Sequence, residues 1–482
     1  MTNQEIKELG KVHILGIGGA GMSGIARLLV AQGVEVSGTD AKESRRVEAL
    51  RKIGVKIFIG HKPENINGVD SVIHSTAIKD NNTELIAANI KNLKILKRSD
   101  ALGILTRQFE TIAVSGTHGK TTTTSMVTVA LQSCGEDPTF AIGSELSETG
   151  SNAHLGESKF FVVEADESDG SFLHLSPKIV VVTNVEPDHL DYWKTFEKIE
   201  EAFLEFSSST KLRNGFAVIC NDDNGAKKLI ANAKLSGVNV ITYGISDGSD
   251  LKISNLKLGI PGPTFNVNFR GRDLGEMTLK VLGTHNALNA SAALAVGLEL
   301  GFDFAQLKNG IANFSGTRRR FEYRGMANNI RVYDDYAHHP TEITATLKAA
   351  RDVVAGGKIV VAFQAHHYYR TALFNKEFGQ ALALADEVVV LEVFAPGEEA
   401  IPGASGQTMA SLVPLPKNQV IFEPSWSKVA QHLVDRAKPN DIIMTLGAGD
   451  IGLLAPEVLN LLESKSKSWL SVTLSEELVL VY

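Results

Sequence analysis

Residues 111–121 read TIAVSGTHGKT, and the helix-like stretch TTTSMVTVAL follows directly. The β-branched run TIAVSG suits a buried strand. The glycines Gly116 and Gly119 permit a tight turn, and the lysine and threonine that follow belong to a phosphate-gripping loop. In such a loop backbone N–H groups cradle phosphate, Lys120 neutralises its terminal oxygens and the Thr121 hydroxyl can hold Mg²⁺. The match to G-x-x-x-x-G-K-[ST] is partial, because the position of the usual first glycine is Val114. The bland alternative, a glycine turn with a chance lysine, does not account for a strand before the loop and a helix after it.

Further strands follow at FFVVEAD (160–166), KIVVVTN (178–184), GFAVIC (215–220) and VNVITYG (238–244). The apolar helix HNALNASAALAVGLEL (285–300) closes this central block. Two strand ends carry hard ligands. Glu164-Ala165-Asp166-Glu167-Ser168-Asp169 puts four carboxylates in six residues, a repulsion that a cation or water must relieve. Thr183-Asn184-Val185-Glu186-Pro187-Asp188-His189 ends the next strand. Oxygen ligands with one imidazole suit Mg²⁺, so Glu164 and His189 join Thr121 as candidate metal ligands.

On either side lie two more blocks of alternating strand and helix signals, the pattern of parallel sheets. The N-terminal one opens with KVHILGIG (11–18) and continues with VEVSG, VKIFIG, SVIHST and LKILKR. Its first strand runs into Gly16-Ile17-Gly18-Gly19-Ala20-Gly21, a G-x-G-x-x-G loop, with Asp40 19 residues later at the end of the second strand. Glycines let the backbone approach a pyrophosphate, the helix N-terminus attracts it, and the acid can take ribose hydroxyls. That physics accepts NAD or any other nucleoside diphosphate, so an NAD(P)-dependent dehydrogenase stays open on this loop alone. The C-terminal block, from about 317, contains IRVYDD, KIVVAFQ, DEVVVLEVF, QVIFE and DIIMTLGAGD.

Bulk properties narrow the class. A chain of 482 residues predicts two to four domains. Its 43% hydrophobic and 21% charged residues are those of an ordinary globular protein. A net charge of −7 argues against nucleic acid as a partner. Two cysteines make no disulfide framework. The N-terminus has no apolar core of a signal peptide, and no apolar run approaches a membrane span of about 20 residues. A cytoplasmic protein without a membrane partner is the expectation.

The segments GIGGAGMSGIA, GTHGKTTTT, EADESDGSF, TNVEPDHLD, HNALNA, GTRRRFEYRG, DDYAHHPTEI, PGEEAIPGASG and TLGAGDIG stand in one order between about residues 11 and 462. Together they resemble the bacterial Mur ligases, most closely the branch that acts on L-alanine. The resemblance implies an α/β chain of three domains. These are a Rossmann-like UDP-sugar-binding domain (1–107), a central P-loop ATPase-type domain (108–316) and a Rossmann-like amino-acid-binding domain (317–482). It implies that ATP, with Mg²⁺ at two sites, drives the joining of L-alanine to the lactyl carboxylate of UDP-N-acetylmuramic acid through an acyl phosphate. A sister ligase that recycles murein tripeptide is the alternative within the family. A nucleotide sensor without catalysis sits badly with an intact Lys120, Thr121, Glu164 and His189.

Carried onto this sequence, Gly16, Gly18, Gly19, Gly21, Met22, Ser23 and Asp40 face the UDP-sugar. ATP falls to Gly116, Thr117, His118, Gly119, Lys120, Thr121 and Thr122, with His285, Asn286 and Asn289 near adenine and metal. Arg319 and Arg320 reach ATP from the start of the third domain, which closes over it. Tyr336, His338 and Arg370 face the amino-acid side, with His338 a candidate base. The segment FQAHHYYRT (363–371) departs from the family, which usually has proline at 365 and arginine at 367; His367 offers no guanidinium fork to a carboxylate. A monomer or homodimer is expected. The tail Ser464–Tyr482 has no part in the resemblance.

Overall fold

The computed structural model describes residues 4–75, 77–146, 150–354 and 356–465. All of the tail beyond Lys465 therefore lies outside the described residues. Among the described residues there are three sheets, of five, ten and six strands. By contacts, the first two sheets belong to one compact unit and the third to a second.

The first sheet is wholly parallel, in the order Lys56–Ile59, Val36–Asp40, Val12–Leu15, Ser71–His74, Lys94–Lys97. The order reverses beside Val12–Leu15, and open α/β sheets bind ligands beyond such a strand's carboxyl end. There the chain turns through Gly16, at φ +70°, into the helix Ala20–Ala31. One face hides a polar cluster. The fully buried His13 lies 2.8 Å from Ser37 Oγ and 3.0 Å from Thr39 Oγ1. Thr39 and Asn65 donate to the buried Glu84 at 2.7 and 2.6 Å. Burial holds the His13 imidazole down at about 4, with Glu84 opposing and His61 assisting. An unfolded chain takes up that proton near pH 6.5. Folding stability should therefore fall as pH drops from 6.5 towards 4. Urea midpoints measured across this range should show a shallower slope in His13→Asn than in the parent; parallel slopes would contradict the buried neutral ring.

The ten-stranded sheet is centred on Glu110–Ser115, flanked by the parallel strands Phe160–Glu164 and Ile179–Val182. Phe216–Cys220 and Val240–Gly244 extend it in parallel. The sequence reading missed its edge strands, Leu251–Lys257 and the antiparallel hairpin Thr264–Phe269/Arg272–Thr278. Their alternating buried and exposed residues form one-sided strands, unlike the continuous apolar runs of the interior.

The third sheet runs Glu322–Ala327, Ile330–Asp335, Ile442–Leu446, Ile359–Phe363, Glu387–Val390, Val420–Phe422 and is parallel except for its first pair. Ile359, Val361 and Phe363 face one apolar cluster, Val360 and Ala362 another. Burial on both faces explains why such strands read as unbroken apolar runs.

Candidate active site

Gly116, Gly119 and Lys120 form the phosphate loop between the strand Glu110–Ser115 and the helix Lys120–Ser133. Gly116 sits at φ +130°, and a Cβ there would lie 2.1 Å from Thr183 Oγ1. Only glycine fits so close a backbone approach. The neighbouring strand end fixes the loop. The amide N–H of His118 donates to Asn184 Oδ1 at 2.7 Å, and that of Glu186 to Thr117 Oγ1 at 2.9 Å. The helix Thr284–Glu299, which carries HNALNA, supports it from the other side, where Thr123 Oγ1 donates to Asn289 Oδ1 at 3.1 Å and Asn289 Nδ2 to Asn286 Oδ1 at 3.1 Å. Asn286, Asn289 and the loop thus lie together.

Lys120 Nζ donates to Gly116 O at 2.7 Å and to Glu167 Oε1 at 2.7 Å. Burial works against its charge, but Glu167 and Asp166 outweigh it and hold the ammonium above its usual range. Burial pushes the Glu167 carboxyl up, with Lys120 opposing. The sequence reading did not single out Glu167. The signal was present, since a cluster of carboxylates needs a nearby cation, but sequence could not say which acid would reach which cation. Thr121 Oγ1 donates to Glu164 Oε1 at 3.1 Å, and Glu164 Oε2 accepts the N–H of Gly143 at 2.8 Å. A hydroxyl and a carboxylate side by side at the mouth of a phosphate loop are the hard-oxygen set that Mg²⁺ prefers. His189 takes a left-handed backbone, φ +53°, with its Nε2 3.5 Å from Asp188 Oδ2.

At the first glycine loop Gly18 N–H donates to Asp40 Oδ2 at 2.8 Å, so the acid secures the loop itself. Met22 and Ser23 are buried, and Ser23 Oγ donates to Ala20 O at 2.9 Å. They shape the first helical turn. Between that turn and Glu164 lies a cavity of about 220 Å³ lined by Gly21, Gly24, Arg98, Gly143, Glu164 and Asp166. Its wall reaches the second loop only through Glu164, which accepts from Thr121.

In the second unit, Arg319 Nε donates to Asp334 Oδ2 at 2.9 Å, and its terminal nitrogens donate to Gly447 O at 2.7 Å and Gly449 O at 2.8 Å. This guanidinium anchors the TLGAGD turn. Arg319 and Arg320 both lie over the Tyr336 ring, 5.1 and 5.3 Å from its centre. His285 is held down at about 4 by burial and then by Arg320. His338 Nδ1 faces Tyr336 O at 3.0 Å and Glu342 Oε2 at 3.2 Å. Two acceptors there place a proton on Nδ1. Arg370 is buried, its guanidinium 5.6 Å from the Tyr369 ring centre. Burial holds His366 at about 3, with His367, His338 and Arg370 adding to the effect. His367 pairs through Nδ1 with Glu398, so at this departure from the family the imidazole has an acid of its own.

Residues 11–110 match the Mur ligase family catalytic domain, 114–297 the Mur ligase middle domain and 319–449 the Mur ligase glutamate ligase domain. The UDP-N-acetylmuramate–L-alanine ligase of Acidothermus cellulolyticus is 52% identical, over 95% of this chain and 96% of that protein. That of Saccharopolyspora erythraea is 48% identical, over 95% and 94%. The crystal structure of the UDP-N-acetylmuramate–alanine ligase of Thermotoga maritima superposes with a TM-score of 0.80 at 30% identity, covering 94% of this chain and 99% of that one. A murein peptide ligase from Psychrobacter arcticus shares the fold, with a TM-score of 0.70 at 24% identity and coverage of 94% and 99%. With its phosphate loop, its acidic strand end and its three sheets all within matched segments, the chain belongs to the Mur ligase family, among the UDP-N-acetylmuramate–L-alanine ligases.

Proposed function

We propose that the chain joins L-alanine to the lactyl carboxylate of UDP-N-acetylmuramic acid with hydrolysis of ATP to ADP and phosphate. The observation that carries this reading is the cavity that runs from the first glycine loop to Glu164, beside a phosphate loop whose lysine is already paired. A dehydrogenase has no use for the second loop. The alanine-adding relatives, at about half identity, weigh against the tripeptide-recycling alternative. The domain limits 1–107, 108–316 and 317–482 remain our division, supported by one sheet in each.

A carboxylate and an amine do not condense at neutral pH without activation. The lactyl carboxylate attacks the γ-phosphorus of ATP, the bond to the ADP oxygen breaks, and an acyl phosphate forms. Lys120 offsets the repulsion between the two anions, and the loop amides at 116–121 hold the phosphates. Thr121 with Glu164, and Glu164 with His189, would hold two Mg²⁺ ions, which supply charge neutralisation on the phosphates. The alanine amine then attacks the acyl carbon, phosphate leaves, and the amine proton passes to His338. Tyr336 and Arg370 orient the amino-acid side. The species is a monomer or homodimer acting on small molecules.

The test is phosphate release with ATP, Mg²⁺ and UDP-N-acetylmuramic acid, run in parallel with L-alanine, glycine, L-serine and murein tripeptide. L-alanine should give turnover at least about tenfold above the tripeptide, a gap of roughly 1.4 kcal/mol in transition-state stabilisation. Preference for tripeptide, or no product with any amine, would remove the reading.

A further inference from the structure

Arg98 opens the helix Arg98–Thr106 directly after the edge strand Lys94–Lys97 of the first sheet. It faces two ways. On one side a methyl added to Gly21, in the first turn of the helix Ala20–Ala31, would lie 3.0 Å from its Nη1. On the other side its Nη2 donates to Asp166 Oδ2 at 3.3 Å and Ser171 Oγ at 3.3 Å, and lies 3.8 Å from Asp169 Oδ2. All its polar contacts among the described residues run through Nη2. Nη1, on the Gly21 side, makes none of these contacts, and a guanidinium carries five donors in a fixed plane. The side chain is 27% exposed and forms part of the wall of the cavity between Gly21 and Glu164.

The other charged groups on that wall, Glu164 and Asp166, are acids. An anion that leaves the first glycine loop and approaches Glu164 therefore finds on that wall a single cationic side chain, Arg98. The acids that Arg98 tethers belong to the segment 164–169, whose Glu164 binds the Thr121 hydroxyl and whose Glu167 binds Lys120. One guanidinium thus stands between the place where a sugar nucleotide would lie and the loop that meets ATP.

Resting on the function proposed above, we infer that Arg98 grips an oxyanion of the UDP-sugar with Nη1 while Nη2 holds the 164–169 segment. Binding of the sugar nucleotide and of magnesium–ATP is thereby coupled. The oxyanion is either the diphosphate or the lactyl carboxylate; a charged N–H donor recognises both. Coupling of this kind is reciprocal, so each ligand tightens the other by the same factor, about fivefold or more.

Calorimetric titration tests the inference. The parent protein should bind UDP-N-acetylmuramic acid at least about fivefold more tightly when saturated with magnesium and a non-hydrolysable ATP analogue. Arg98→Lys keeps a positive charge near Asp166 but loses the fork. It should bind UDP-N-acetylmuramic acid about tenfold more weakly, lose the coupling, and bind the ATP analogue alone as the parent does. UDP-N-acetylglucosamine, which has the diphosphate but no lactyl carboxylate, identifies the anion. Equal weakening for both sugars points to the diphosphate, and weakening for the muramic acid alone points to the carboxylate. Parental affinity and coupling in Arg98→Lys would overturn the inference, as would equal loss of both ligands, the mark of a purely structural role. A parent protein that binds no UDP-N-acetylmuramic acid would instead remove the proposed function beneath it.

Discussion

Lys120→Ala loses ATP-dependent product formation by a factor of about 10³, while its affinity for UDP-N-acetylmuramic acid stays within about twofold of the parent. The argument begins with charge. Phosphoryl transfer brings a carboxylate against a polyanion, and a positioned cation in a water-poor site is worth far more there than in water. Lys120 is such a cation, enclosed and held above its usual range. Its removal also leaves Glu167, only 3% exposed, without its cation. Burial already favours protonation of that acid, so it can take up a proton rather than unfold the loop. The first glycine loop has no contact with Lys120 among those described, which is why sugar affinity persists. Coupled ADP-release kinetics and calorimetry on the same sample separate the two effects. Near-parental turnover would show that the loop does not grip ATP.

Arg319→Ala should destabilise the protein by about 2–3 kcal/mol, read as a lower urea midpoint. Resemblance alone assigns this arginine to ATP. The structure gives it a full set of partners within its own unit, Asp334 and the carbonyls of Gly447 and Gly449. Asp334 is 1% exposed, so the truncation strands a buried carboxylate. The estimate sits below the usual range for a broken buried pair because Arg319 itself is 27% exposed. Arg320→Ala, whose side chain lies 3.7 Å from Glu342, should cost less than about 1 kcal/mol. Equal midpoints for the two variants would mean that Arg319 is no anchor.

The interior strands were legible because both their faces are buried: Ile179–Val182 and Ile359–Phe363 are apolar at every position. Both glycine loops were legible because a turn between strand and helix has few chemical solutions. The hairpin at 264–278 was not, since its face alternates and polar Asn266, Asn268 and Asp273 interrupt it. Asp40 was legible as an acid at a strand end but not as the acceptor of its own loop's N–H. The partners of Lys120 and Arg98 were hidden for a related reason. Four acids within six residues are interchangeable in sequence, and only the fold of the segment after Glu164 decides which one faces which cation. Glu398 meets His367 across 31 positions of chain, a pairing no local pattern announces.

The ion pair between Lys120 and Glu167 also bears on what the idle enzyme ignores. An incoming phosphate must displace an internal carboxylate before it can reach the ammonium. A lone orthophosphate brings few contacts to set against that exchange, whereas a nucleoside triphosphate brings its base, ribose and three phosphoryl groups. On the proposed function, a loop paired in this way would act as a lock against small competitors, with discrimination beginning before any chemistry.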